Sequence, residues 1–73
     1  MTRGAIKWFH DIMGYGVIAP DDGTAGVLVR LSAAEAARLG RLRKGDRLEY
    51  DTVRGANGRA LAVNVRPPGQ AGE

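Results

Sequence analysis

Trp8 and Tyr15 are the residues whose types and spacing point most directly to chemistry. An aromatic ring on an exposed strand offers a π-face for stacking, and a neighbouring cation can hold an anionic group beside it. Lys7 precedes Trp8, Tyr15 sits between Gly14 and Gly16, and Arg30 follows in the next apolar run. Period-two alternation puts Tyr15 and Val17 on one face and Gly16 and Ile18 on the other. In the following run Leu28 and Arg30 lie opposite Val27 and Val29. If Ile18, Val27 and Val29 point inward, then Tyr15, Val17, Leu28 and Arg30 form an outward platform. A tyrosine flanked there by Lys7, Trp8 and Arg30 suits a stacked base with its phosphate held nearby. The pattern equally admits Trp8 and Tyr15 as plugs for the ends of a small barrel. Ile6 and Trp8 raise a related difficulty: a spacing of two puts them on one face, and a β-bulge or strong strand curl is needed to part them.

Other reactive types are sparse. The chain has no cysteine and one histidine, His10, so neither a disulfide framework nor a four-ligand zinc site is expected. His10 has no nucleophile or oriented acid beside it and reads as a surface polar residue. Asp21 and Asp22 read as turn residues rather than a catalytic carboxylate pair. No constellation of nucleophile, base and oxyanion donors is present. The expectation is a non-enzyme without metal or cofactor.

Composition sets the frame. The 73 residues carry 44% hydrophobic and 26% charged residues, a net charge of +3 and only 5% aromatics. That is one globular domain with a thin core. No apolar run is long enough for a signal peptide or a membrane span, so a cytoplasmic domain with no membrane partner is expected. The basic balance favours a polyanionic partner. Most of its cations are arginine, however, and with abundant alanine this also fits a mere coding preference, so charge alone decides nothing.

Short β-prone runs separated by turn signals must position these residues. They span 4–10, 15–19, 27–31, 47–53 and 59–65. Pro20-Asp21-Asp22-Gly23 and Gly55-Ala56-Asn57-Gly58 carry hairpin-type dipeptides. Between the third and fourth runs, Ser32-Ala33-Ala34-Glu35 has capping-box form and Gly40 is a stop, which predicts about two helical turns. The predicted core is Ile6, Ile18, Val27, Val29, Leu48, Tyr50, Val63 and Val65, with Phe9 beside it. Residues 1–66 form the expected domain, and 67–73, with two prolines and no periodicity, an expected disordered tail.

With these residues in place, the chain resembles the bacterial cold-shock protein family. The likeness runs through Gly4-Ala5-Ile6-Lys7-Trp8-Phe9, Gly14-Tyr15-Gly16-Val17-Ile18 and Pro20-Asp21-Asp22-Gly23. It continues through Val27 to Ala33, Gly45 to Tyr50 and Ala62 to Val65, in the same order and spacing. The resemblance implies an all-β fold, a five-stranded antiparallel OB-type barrel with a short helical connection between strands 3 and 4. It also implies single-stranded RNA or DNA as partner, bound on an aromatic sheet face.

This sequence departs from the family pattern on that face. Met13-Gly14-Tyr15-Gly16-Val17-Ile18 stands where the family usually has Lys-Gly-Phe-Gly-Phe-Ile, and Val27-Leu28-Val29-Arg30-Leu31 where it has Val-Phe-Val-His-Phe. Carried over residue by residue, the binding set is Lys7, Trp8, Phe9, Tyr15, Val17, Leu28, Arg30 and Leu31. Of these, Val17, Leu28 and Leu31 offer no π-face, and Phe9 suits barrel packing. Three lost stacking platforms forfeit ~3–6 kcal/mol, on the order of two to four decades in affinity. Arg38, Arg41, Arg43, Lys44 and Arg59 are secondary basic contacts, the first four on a loop that also reads as simply solvated. The sequence therefore predicts weak, salt-dependent, sequence-tolerant binding by a monomer acting as an RNA chaperone or a transcription or translation modulator. The competing reading makes Val17, Leu28 and Leu31 an aliphatic patch for protein contact or homodimerisation.

Overall fold

The computed structural model describes residues 2–55 and 57–68. Five strands and one helix follow in the order β1 (Thr2–His10), β2 (Tyr15–Pro20), β3 (Val27–Arg30), α1 (Ala33–Leu39), β4 (Arg47–Arg54) and β5 (Ala60–Arg66). The strands close into a barrel in the order β1-β2-β3-β5-β4, the all-β OB-type architecture that the sequence implied. Four of the five seams are antiparallel, and β3 with β5 is parallel. Alternating directions cannot be kept round an odd ring, so one parallel seam is required for closure. Closure gives every strand a neighbour on both sides, which removes the open edge of a flat sheet.

Turn chemistry sets the strand ends. Gly14, Gly23 and Gly58 adopt φ of 73°, 80° and 81° at the three hairpin-type connections, a region that L-residues with a Cβ seldom enter. The helix begins on a complete capping box: Ser32 Oγ accepts from the Glu35 N–H at 3.2 Å, and Glu35 Oε1 accepts from the Ser32 N–H at 3.0 Å. Helix α1 buries none of its residues completely, although Leu39 packs against the core. It is a connection between barrel halves.

Inside lie Ile6, Ile18, Val27, Val29, Leu42, Leu48, Tyr50, Ala62 and Val65, with Phe9 and Leu31 packed against them. Val63 was expected there and is only half-buried. The reason is a register shift between β4 and β5 at Tyr50, where Asn64 takes φ 54°. The extra residue reverses the alternation, so Ala62 and Val65 face inward instead of Val63 and Val65. Leu42 enters from the basic loop, where no strand pattern marked it.

Pro67 is half-buried, and with Pro68 it lines a shallow groove beside Leu39, Leu42 and Leu48. The rest of the expected tail, residues 69–73, lies outside the described residues. Glu49 is 1% exposed and its Oε2 pairs with Arg3 Nε at 2.9 Å, as a buried carboxylate requires. No helix among the described residues is long and apolar enough to cross a membrane.

Tyr50 is fully buried, and its hydroxyl has no hydrogen-bond partner among the described residues. Desolvation, then the charges of Asp22 and Asp21, raise its pKa above the ordinary phenol value. The unfolded chain therefore ionises first, and stability present below the ordinary phenol range is lost as pH rises through and above it. Tyr50→Phe should raise stability by about 1 kcal/mol by removing an unsatisfied polar atom. It should also flatten the alkaline fall, both readable from urea unfolding at neutral and alkaline pH.

Candidate nucleic-acid interface

The outer face of β1, β2, β3 and β5 carries two rows of side chains. Cross-strand register places His10 opposite Tyr15 and Tyr15 opposite Arg30, at the end nearest the β1–β2 turn. The next row runs Trp8, Val17, Leu28 and Leu61. A register shift between Ile6 and Trp8 is the bulge needed to part those two residues. It leaves Ile6 buried and turns both Lys7 and Trp8 outward, Trp8 with 43% of its surface exposed.

The rings contact one another. Trp8 meets Tyr15 edge-to-face, with centroids 5.7 Å apart and planes at 82°. His10 lies parallel to Tyr15 within 3°, at a centroid distance of 6.2 Å. These geometries are the favourable ones for aromatic pairs, so the half-buried Tyr15 is held from two sides. A pocket of about 240 Å³ opens between Tyr15, Leu28 and Arg30. Beyond Leu28 an apolar groove of about 450 Å³ continues along Val17, Gly26 and Ala60 to Arg59. The face is thus aromatic at one end, aliphatic in the middle and cationic at both ends.

Phe9 and Leu31 are not on it. Phe9 pairs with Gly16 on the inner side, its ring filling the space that the missing Cβ leaves, and Leu31 packs against the core. Both therefore serve the barrel; of the expected aliphatic patch Val17 and Leu28 stay on the face, in one row with Leu61.

Cations divide in the same physical way. Arg3, Arg41, Arg47 and Arg66 pair with Glu49, Asp11, Asp21 and Asp51. Arg38 donates to the Val65 carbonyl and Arg54 to that of Gly58. Among the described residues, the side chains of Lys7, Arg30, Arg43, Lys44 and Arg59 have no such partner. Lys7, Arg30 and Arg59 belong to the face. Backbone bonds from Gly45 N–H to Ile6 O and from Ile6 N–H to Asp46 O, both 2.8 Å, pin the Arg43–Lys44 turn beside β1 where Lys7 begins. Of these expected loop cations, Arg38 stands in the last turn of α1 and, with Arg41, is tied into the fold, whereas Arg43 and Lys44 are not. Among the described residues no group of three or more His, Cys, Asp or Glu side chains could hold a metal ion.

His10, read from the sequence as a surface polar residue, is exposed and stands at the end of β1, two residues beyond Trp8.

The match of residues 2–68 to the model of the "cold-shock" DNA-binding domain decides the family. The chain belongs to the cold-shock domain family. It is 42% identical over 67 residues to the cold shock protein CspA of Rhizobium meliloti, covering 90% of this chain and 97% of that protein. To the major cold shock protein of Micrococcus luteus it is 42% identical over 65 residues, covering 89% and 96%. A probable cold shock protein of Sinorhizobium fredii, y4cH, is 40% identical over 67 residues, covering 90% and 97%. Cold-shock domains are nucleic-acid-binding modules.

Proposed function

We propose that this cold-shock domain binds single-stranded RNA or DNA across the outer face of β1, β2 and β3, weakly and with little sequence preference. The observation that carries the reading is the contact of the Trp8 and Tyr15 rings on an outer face bordered by cations that no carboxylate among the described residues neutralises. Bases stack on the rings while Lys7, Arg30 and Arg59 meet phosphates, so an unpaired strand is favoured over a hairpin by mass action. Weak binding suits an RNA chaperone or a transcription or translation modulator in the cytoplasm, since each must release its strand. The protein-contact reading through Val17, Leu28 and Leu31 loses ground because Leu31 faces the core and Arg30 and Arg59 border what remains. A monomer follows.

Fluorescence anisotropy with labelled oligo-dT and oligo-U at two salt concentrations tests this. Each phosphate neutralised on a single strand contributes about −0.7 to the slope of log K against log salt. Three cations on the face give a slope near −2, so a tenfold rise in salt should weaken binding by roughly 100-fold. Nanomolar affinity that persists at high salt would overturn the proposal.

A further inference from the structure

We infer that His10 is a base-contacting residue, forming a stacking subsite one step beyond Tyr15 at the β1–β2 turn end of the face. The inference rests on the proposed single-strand binding and adds to it a position that the resemblance does not supply.

Three observations carry it. His10 and Tyr15 are direct cross-strand partners, and their rings are parallel within 3°. At a centroid distance of 6.2 Å the rings are displaced rather than face-on, the arrangement that aromatic pairs prefer. Displacement leaves part of the imidazole uncovered, and His10 is exposed. Finally, no hydrogen bond or ion pair engages the His10 ring among the described residues; its ring contact is with Tyr15, and both nitrogens stay available. A ring already aligned with Tyr15 needs little ordering to receive the next base of a strand whose preceding base lies on Tyr15.

The subsite lies apart from the apolar groove, which runs the other way from Leu28 toward Arg59. It adds a ring where the carried-over binding set has none, and so offsets part of the loss at Val17, Leu28 and Leu31. Asp11 follows His10 in the chain, but its carboxylate is held by Arg41 Nε at 3.1 Å, which limits its repulsion of an approaching phosphate.

The test uses the full chain with heptathymidylate as probe. Affinity is read by anisotropy for the parent, His10→Ala and His10→Phe, and the His10 ring protons are followed by NMR. His10→Ala should weaken binding about five- to tenfold, the low end for one base–aromatic stack. His10→Phe should stay within about twofold of the parent, since the ring and not the charge supplies the contact. The His10 ring protons should move upfield as the oligonucleotide is added, a ring-current effect that a purely structural role would not produce. If Trp8 fluorescence responds to the probe while His10→Ala matches the parent and the His10 protons stay in place, the subsite is overturned and face binding stands. If Trp8 does not respond either, the binding reading fails and the subsite with it.

Discussion

Gly16→Ala is expected to destabilise the barrel by about 3 kcal/mol or more, at or beyond the upper end for overpacking. Gly16 faces inward on β2 opposite Phe9. A Cβ at this position would collide with the Trp8 carbonyl oxygen and come within 2.7 Å of Phe9 Cδ1 and 2.8 Å of Phe9 Cα. Two of those atoms are backbone, so relief requires moving β1 away from β2 rather than turning a rotamer. A domain of this size has only ~5 kcal/mol or a little more in hand, and the variant should be largely unfolded in mild urea. Gly26→Ala provides the contrast. Its Cβ would meet a Val17 methyl at 2.8 Å, on the outer face where Val17 is only half-buried. The loss there should be below about 1.5 kcal/mol, because a side chain can yield where a ladder cannot. Equal unfolding midpoints for the two variants would contradict this account of Gly16.

The same pairing of β1 with β2 shows how far the sequence could be read. Alternation in Tyr15-Gly16-Val17-Ile18 and Val27-Leu28-Val29-Arg30 assigned every face of β2 and β3 correctly, because neither strand contains a bulge. Alternation failed in β5. The backbone of Asn64 inserts a residue there, and nothing in Ala60-Leu61-Ala62-Val63-Asn64-Val65 announces where the register slips. In β1 the conflict between Ile6 and Trp8 was itself the sign of a bulge, since a core residue and an exposed ring cannot share a face. The structure shows that Gly16 makes room for Phe9 inside, while Gly14 supplies a turn at φ 73°. Leu42 was hidden because loops carry no period, and the engagement of Arg38 and Arg41 because their partners are distant in sequence. Identity and order of strands are local properties of the chain, whereas charge pairing belongs to the folded surface.

Trp8→Ala and Leu28→Phe should move affinity in opposite directions while leaving its salt dependence unchanged. Trp8 is 43% exposed and Leu28 37%, so both are placed to touch a ligand, and they occupy the same row of the face. Removing the indole forfeits one base stack, ~1–3 kcal/mol or about 5- to 150-fold in Kd. The upper part of that range is expected, because Trp8 also supports Tyr15 edge-to-face at 5.7 Å. For the same reason Trp8→Ala and Tyr15→Ala should not be additive. Leu28→Phe supplies a ring where the face now has an aliphatic side chain. Leucine already gives apolar contact, so the gain is about 1 kcal/mol, near fivefold. Neither change alters the number of phosphates neutralised, and the slope of log K against log salt should stay as in the parent. Arg30→Gln does the reverse, making the slope shallower by about 0.7 with a loss that disappears at high salt. Because Trp8 is the chain's one tryptophan, the comparison needs a labelled oligonucleotide rather than intrinsic fluorescence. If Leu28→Phe leaves affinity unchanged while Trp8→Ala makes the slope shallower, phosphate contacts alone hold the strand, and the rings do not stack its bases.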